Sequence, residues 1–318
     1  MKVLVTGASG YIGRAVLRDL EASGHEPVAA VRDPRRLPEH WRGRAVTVLD
    51  LGQDTDWSGA IAGVDGVVHL AGPSDPDGIS EADLIRTIVN GSKRLAEASV
   101  SAGVSRFVLV SSVKAMADTT PVAGVDEKAA PAPTDAYGRA KLAAERAVEA
   151  IGAEGAGMEV AVLRPAPVYG PGSGGNLRRM VDFLRTSPPV LPLGITGNRR
   201  SFLHRDSLCA AILACLEHPR AGGRTFCVTD GETLSTADLT RRILEAHGRR
   251  ALLLPVPAAG LRLLGRAGRR LGASSVFDGS ALRDALGWKP VVDPRAGMIE
   301  AVRQTVDPLL PAAPEGQP

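Results

Sequence analysis

A chain of 318 residues with 44% hydrophobic content is long enough for about two domains, or for one α/β core with a smaller annex. Aromatic residues make up only 3% of it and the formal net charge is +3, which argues against base-stacking platforms and against a general polyanion binder, so no nucleic-acid partner is expected. Cys209, Cys215 and Cys227 lack metal-ligand or disulfide spacing, so no metal is expected and the thiols read as reduced and buried, as in a cytoplasmic protein.

The first element organises the rest. The apolar run Val3-Leu4-Val5 stops at Thr6-Gly7, and Gly7, Gly10 and Gly13 follow at a spacing of three before an apolar helical pattern of Ile12, Ala15, Val16 and Leu20. A strand that enters a helix this tightly aims backbone N–H groups outward at the positive end of the helix dipole, which suits a phosphate. Gly7 permits the turn, Gly10 lets a pyrophosphate approach the backbone, and Gly13 lets helix pack on strand. The strand begins at residue 2, which leaves no room for a signal peptide, and no apolar run approaches the length of a membrane span.

Further strands are expected at Pro27–Val31, Ala45–Leu49, Val64–Leu70, Arg106–Ser111 and Glu159–Leu163. Helical patterns run from Glu81 to Gly103 and from about Asp135 to Ile151. Strands and helices alternate, and the strands are continuously apolar, as strands buried on both faces are. The fold class is therefore α/β: a Rossmann-type doubly wound parallel sheet. Residues 1–165 are expected to form this dinucleotide-binding domain. Beyond Arg164-Pro165, turns rich in Gly and Pro separate shorter helices, with one strand at Thr225–Val228. Residues 166–307 therefore read as a smaller C-terminal substrate-binding annex, and residues 308–318 as a frayed tail.

Ligands of open α/β sheets bind beyond the carboxyl ends of the strands. Ser111-Ser112 ends the fifth strand, and Tyr137-Gly138-Arg139-Ala140-Lys141 opens the next helix, with Tyr137 and Lys141 one turn apart on one face. A tyrosine with a pKa near 10 is a poor base at neutral pH, but a nearby ammonium favours its phenolate, and a cationic nicotinamide ring would lower the value further. Ser112 is placed to hold a substrate hydroxyl while Tyr137 takes its proton, and Lys141 is also placed to meet a nicotinamide ribose.

Together these segments resemble the extended short-chain dehydrogenases/reductases, and within them the NAD-dependent epimerase/dehydratase group. The resemblance rests on Thr6-Gly7-Ala8-Ser9-Gly10-Tyr11-Ile12-Gly13, Asp50-Leu51, His69-Leu70-Ala71-Gly72, Ser111-Ser112, Tyr137 to Lys141, Leu163-Arg164-Pro165 with Val168-Tyr169-Gly170-Pro171-Gly172, and Leu286-Gly287-Trp288-Lys289-Pro290. Ser111-Ser112-Val113-Lys114 is similar to the serine strand of one sugar 4-epimerase subgroup. The resemblance implies Ser112, Tyr137 and Lys141 as catalytic residues. It implies cofactor contacts at Gly7, Ser9, Gly10, Tyr11, Ile12, Gly13, Leu70, Ala71, Gly72 and Pro165, with Asp50 and Leu51 flanking the adenine. Asn176 and Leu177 fall where a substrate diphosphate is held, and Arg200 falls on the arginine that pairs with it, a fit for bidentate guanidinium–phosphate geometry.

Some positions depart from the family pattern. The acidic residue that holds the ribose of NAD is replaced by Val31, followed by Arg32, which favours NADP, while Asp33 is close enough to keep NAD open. The family's helix asparagine is Ile88 here. Val113-Lys114 replaces the Asp-Glu pair of the 4,6-dehydratases, which disfavours elimination of water. The late Arg-x-Gly-Asp element is not evident before Asp278, so a lipid-diphosphate sugar is a variant substrate. Arg262, Arg266, Arg269 and Arg270 on one side of a helix over residues 261–271 would suit peripheral contact with an anionic bilayer, although a solvated surface helix is the more ordinary reading. The leading expectation is C4 epimerisation of a nucleotide- or diphosphate-linked sugar through a 4-keto intermediate. The alternatives are an NADP-dependent reductase of a ketone or aldehyde, and a cofactor-binding protein without turnover. Family members often dimerise through the helix that carries Tyr137, so a homodimer is a further expectation.

Overall fold

Seven parallel strands form the central sheet, in the order β11-β6-β5-β4-β1-β2-β3. They are β1 (Lys2–Thr6), β2 (Glu26–Val31), β3 (Arg44–Thr47), β4 (Gly66–His69), β5 (Arg106–Val110), β6 (Glu159–Pro165) and β11 (Arg224–Val228). The computed structural model describes residues 1–39, 41–73, 78–155, 157–256, 261 and 265–306, with the backbone alone at 266, 267, 269 and 306. The strand order reverses between β1 and β4, paired in register Val5↔Val68, and ligands of open α/β sheets bind beyond the strand ends at such a point.

Alternation along the strands explains the two helical layers. Val3 and Val5 of β1 face Val16, Leu17 and Leu20 of α1 (Tyr11–Ala22) and Leu208, Ile212 and Cys215 of α7 (Arg205–Glu217). Leu4, between them, faces the other layer, where Leu95 of α4 (Gly91–Ser101) and Val148 of α5 (Ala136–Glu154) close a second core. All three cysteines are buried and free, and burial pushes their thiols up.

Two details differ from the sequence reading. The strand expected inside the annex, Thr225–Val228, is part of the seventh strand of the main sheet, with Phe226 opposite Leu163. Its Phe-Cys-Val run is fully buried, as a strand covered on both faces requires. The helix expected from Glu81 is α3 (Glu81–Leu84), then a π turn over Ile85–Asn90, then α4.

The annex holds three two-stranded pairs: β7 (Val168–Tyr169) with β10 (Leu203–His204), β9 (Arg200–Ser201) with β12 (Thr233–Leu234), and β8 (Val190–Leu191) with β13 (Leu252–Leu253). Its helices α6 (Gly175–Thr186), α8 (Thr236–Ala246) and α11 (Pro294–Val306) share a core of Leu184, Ile243, Leu244 and Met298. Helix α9 (Gly265–Gly272) covers part of the basic segment, and α10 (Ser280–Leu286) precedes α11. Arg262 and the side chains of Arg266 and Arg269 lie outside the described residues, as does the 308–318 tail.

Candidate active site

The glycine loop is built to bring backbone close to a ligand. Gly7 has φ +68°, which only glycine adopts readily, and a Cβ on Gly13 would lie 2.2 Å from the Gly7 carbonyl oxygen. Gly10 caps α1 without a side-chain acceptor, so the first-turn N–H groups of Tyr11, Ile12 and Gly13 keep no side-chain partner there. This cradle fits the pyrophosphate of a dinucleotide. Arg14, which the sequence reading missed, ties it down: its guanidinium donates to the Ser9 carbonyl at 3.0 Å and to the Arg36 carbonyl at 2.7 Å.

A buried network braces the wall opposite. The Thr6 hydroxyl accepts from the Leu70 and Ala71 N–H groups, each at 3.2 Å, and so gives its proton to His69 Nδ1 at 2.6 Å. That leaves the proton of the ring on Nε2, which donates to Ser92 Oγ at 2.9 Å. Burial, with Lys141 nearby, pushes His69 down to about 3, so the ring stays neutral. Gly72 follows on the same loop, and Ile88, in the asparagine position, packs in an apolar cluster with Ala140 and Tyr137. The polar link from this helix to the strand end therefore passes through Ser92 and His69.

Of the two residues expected to flank the adenine, Asp50 is exposed and accepts from Arg86 at 2.7 Å, and Leu51 Cβ would sit 3.2 Å from a Cβ on Gly91. Asp33 is engaged: it caps the turn at Pro34–Arg36 and pairs with the Arg35 guanidinium at 3.0 Å. Arg32 is exposed at the end of β2. Pro165 closes β6, buried and in register with Val228.

Tyr137, Lys141 and the Ser112 loop come together at the carboxyl end of β5. Asp135 caps α5 by accepting the Gly138 N–H at 2.7 Å, which fixes the first turn that carries Tyr137. Lys141 Nζ lies 5.9 Å from the Tyr137 ring centroid and donates to the Val110 carbonyl at 3.2 Å. Ser112 sits between that carbonyl and Lys114, whose own carbonyl would be 2.4 Å from a Cβ on Gly138. The strand-end loop therefore runs directly over the first turn of α5. Ser112 Oγ accepts the Lys114 N–H at 3.2 Å and keeps its own proton to donate.

The electrostatics depart from expectation. Burial, reinforced by the Asp135 charge, pushes the Tyr137 phenol up to about 12, and burial pushes Lys141 down to about 8. The protein groups alone do not lower the tyrosine. Desolvation outweighs the ammonium groups of Lys141 and Lys114 beside the ring.

Three residues expected at the substrate end are more scattered. Asn176 and Leu177 lie in the first turn of α6, Asn176 exposed and accepting from Arg179 at 3.2 Å, and Leu177 packed on the annex core. Arg200 Nε donates to the Ala273 carbonyl at 3.4 Å, and its terminal nitrogen donates to the carbonyls of Arg270 and Leu271 at the end of α9. Its guanidinium is therefore engaged as a helix cap in this structure. The Tyr11 ring stacks under the Arg205 guanidinium at 5.2 Å, with its hydroxyl against Gly170.

The family model for the NAD dependent epimerase/dehydratase family matches residues 3–228. The chain is 32% identical to the UDP-glucose 4-epimerase of Vibrio cholerae, over 98% of its own length and 96% of that protein's. It is 33% identical to a 3-diazoavenalumate denitrifying reductase of a Streptomyces species, over 91% and 96% of the two chains. The solved structure of MoeE5 in complex with UDP-glucuronic acid and NAD superposes with a TM-score of 0.81 at 29% identity, covering 97% of this chain and all of that one. With its reversed strand order, glycine cradle and Tyr137–Lys141 helix, the chain belongs to the NAD-dependent epimerase/dehydratase family of extended short-chain dehydrogenases/reductases.

Proposed function

We propose that the protein epimerises C4 of a nucleotide- or diphosphate-linked sugar through a bound 4-keto intermediate. The observation that carries this reading is the placement of Tyr137, 5.9 Å from Lys141 Nζ, beneath the Ser112 loop at the open strand ends. Near full-length similarity to a UDP-glucose 4-epimerase supports it.

In this reading Ser112 Oγ donates to the sugar oxygen and holds it against Tyr137. Tyr137 removes the 4-OH proton and later returns it, so it must reach the phenolate against a burial that holds it near 12. A bound, oxidised nicotinamide dinucleotide would supply the acceptor for the C4 hydride and the donor that returns it to the opposite face of the 4-keto carbon, and its positive charge would favour that phenolate. Lys141 contributes the other charge and, through Val110, fixes the floor of the site. Asn176, Leu177 and Arg200 would hold the diphosphate, which for Arg200 requires exchanging the α9 carbonyls for phosphate oxygens.

For the cofactor we propose NADP in preference to NAD. This rests on Arg32, exposed just after β2 and able to pair with a ribose 2′-phosphate, and on Asp33, which pairs with Arg35. A ketone or aldehyde reductase is the second reading, favoured by the similarity to the Streptomyces reductase. The deciding experiment incubates the purified protein with UDP-glucose and follows both UDP-galactose and cofactor absorbance. Product without net cofactor consumption supports the epimerase. Stoichiometric NADPH oxidation on a carbonyl substrate, with no epimer formed, would replace it with the reductase.

A further inference from the structure

The loop that carries Ser112 presents a second ammonium group that the chemistry above leaves unused. Lys114 Nζ is 5.8 Å from the Tyr137 ring centroid, almost the same separation as Lys141 at 5.9 Å. The two lysines are otherwise unlike. Lys141 is buried and bound to a main-chain carbonyl. The Lys114 side chain is 41% exposed and donates to Asp135 Oδ2 at 2.6 Å. An ammonium has three N–H groups, so this bond leaves donors to spare within 5.8 Å of the Tyr137 ring centroid.

The charge around those donors is balanced. Asp135 is fixed by its cap on Gly138, so its carboxylate stays beside Lys114 and neutralises it. Asp118, held by the Thr134 N–H at 2.9 Å, puts a second carboxyl group at the start of the same helix. The rim beside Tyr137 thus offers a strong hydrogen-bond donor without a surplus of positive charge. A neutral hydroxyl can accept from Lys114 while the ion pair stays intact. A carboxylate in the same place would face Asp135 and Asp118, and like charges held together at a partly desolvated site are costly.

We propose that the Lys114–Asp135 pair is a specificity device: it holds a neutral hydroxyl on the ring position beside the reacting carbon and rejects a ring that bears a carboxylate there. The inference rests on the sugar-diphosphate reading above, and it narrows the substrate to neutral sugars as opposed to uronic acids.

The test compares UDP-glucose with UDP-glucuronic acid on the cofactor-loaded enzyme, measuring both binding by calorimetry and kcat and KM for epimerisation. The wild type should favour UDP-glucose by at least about tenfold in kcat/KM. Asp135→Asn keeps an acceptor for the Gly138 N–H but removes the charge, and should shrink that preference severalfold, mainly by lowering the KM for the uronate. Asp118→Asn should move the ratio in the same direction by less, and provides the same reading if the Asp135 variant folds poorly. Lys114→Met should raise the KM for UDP-glucose about tenfold, with Lys114→Arg recovering most of the loss. A wild-type preference for the uronate, or a ratio unmoved in both carboxylate variants while UDP-glucose is still bound and converted, overturns this proposal alone. Failure of both nucleotide sugars to bind overturns it together with the sugar reading.

Discussion

Lys141 donates to the Val110 carbonyl at 3.2 Å from a position that is only 8% exposed, so the helix that presents Tyr137 is anchored to the sheet by a buried cation. Such a group costs stability. Its pKa falls from the ordinary 10.5 to about 8, which at about 1.4 kcal/mol per pH unit is a penalty of the order of 3 kcal/mol at neutral pH. A lysine whose folded pKa is depressed destabilises fully below that pKa, and the penalty fades as pH rises from 8 toward 10.5. Lys141→Met should therefore lose turnover yet melt several degrees higher at pH 7, at about 2–4 °C per kcal/mol, with the gap closing above pH 10. Thermal scans across pH check this, and a variant that melts lower at pH 7 would refute the assigned cost.

One turn further along the same helix face, Glu145 meets Arg164 of β6, with N–O distances of 3.1, 3.1 and 2.6 Å and both side chains almost wholly buried. Breaking a buried pair from one side strands a charge. Glu145→Ala should cost about 3–5 kcal/mol in denaturant unfolding, whereas Glu145→Leu combined with Arg164→Met should cost clearly less. Equal losses in the single and double variants would show that the pair is not what holds helix to strand.

Gly13 has the least room in the cofactor loop. The 2.2 Å approach of a new Cβ to the Gly7 carbonyl oxygen involves backbone on both sides, so Gly13→Ala must move α1 or the loop. We expect a loss of about 1–3 kcal/mol in stability and a marked fall in dinucleotide affinity. Titration with either dinucleotide measures the second effect, and unchanged affinity would mean that the loop is not the pyrophosphate site.

Arg32 should distinguish the two cofactors. A charge-assisted bond to a 2′-phosphate is worth about 1.5–3 kcal/mol, so Arg32→Ala should weaken NADP by about tenfold or more and leave NAD nearly unchanged. Asp33→Ala should affect neither strongly, because that carboxylate serves Arg35. A large loss of NAD affinity in the Asp33 variant would restore the acidic-ribose arrangement and favour NAD.

How far the sequence carried can be traced residue by residue. The strand runs, the glycines at spacing three and the Tyr137–Lys141 turn are local patterns, readable because a strand repeats every two residues and a helix every 3.6. Six strands of the sheet were located this way to within about two residues, which is the usual uncertainty of strand ends. The seventh was placed in the annex, because nothing local to Arg224–Val228 says which strand it will pair with.

The helix that carries Tyr137 and Lys141 was legible, but the electrostatic state of the pair was not. A lysine four residues from a tyrosine suggests a lowered phenol, and only the packing around the pair reveals that burial raises Tyr137 to about 12 and lowers Lys141 to about 8. Lys114 was visible as a departure from a motif, but its bond to Asp135 spans 21 residues of chain. Arg14 and Arg36, Glu145 and Arg164, and Thr6, His69 and Ser92 are likewise joined by contacts that no spacing rule predicts. The sequence alone thus determined the fold class, the tight glycine turn into α1 and the Tyr137–Lys141 helix, since these follow from local periodicity and backbone freedom. The tertiary structure decided which charges are buried, which are already paired and which remain available to a ligand, because desolvation and distance exist only once the chain has folded.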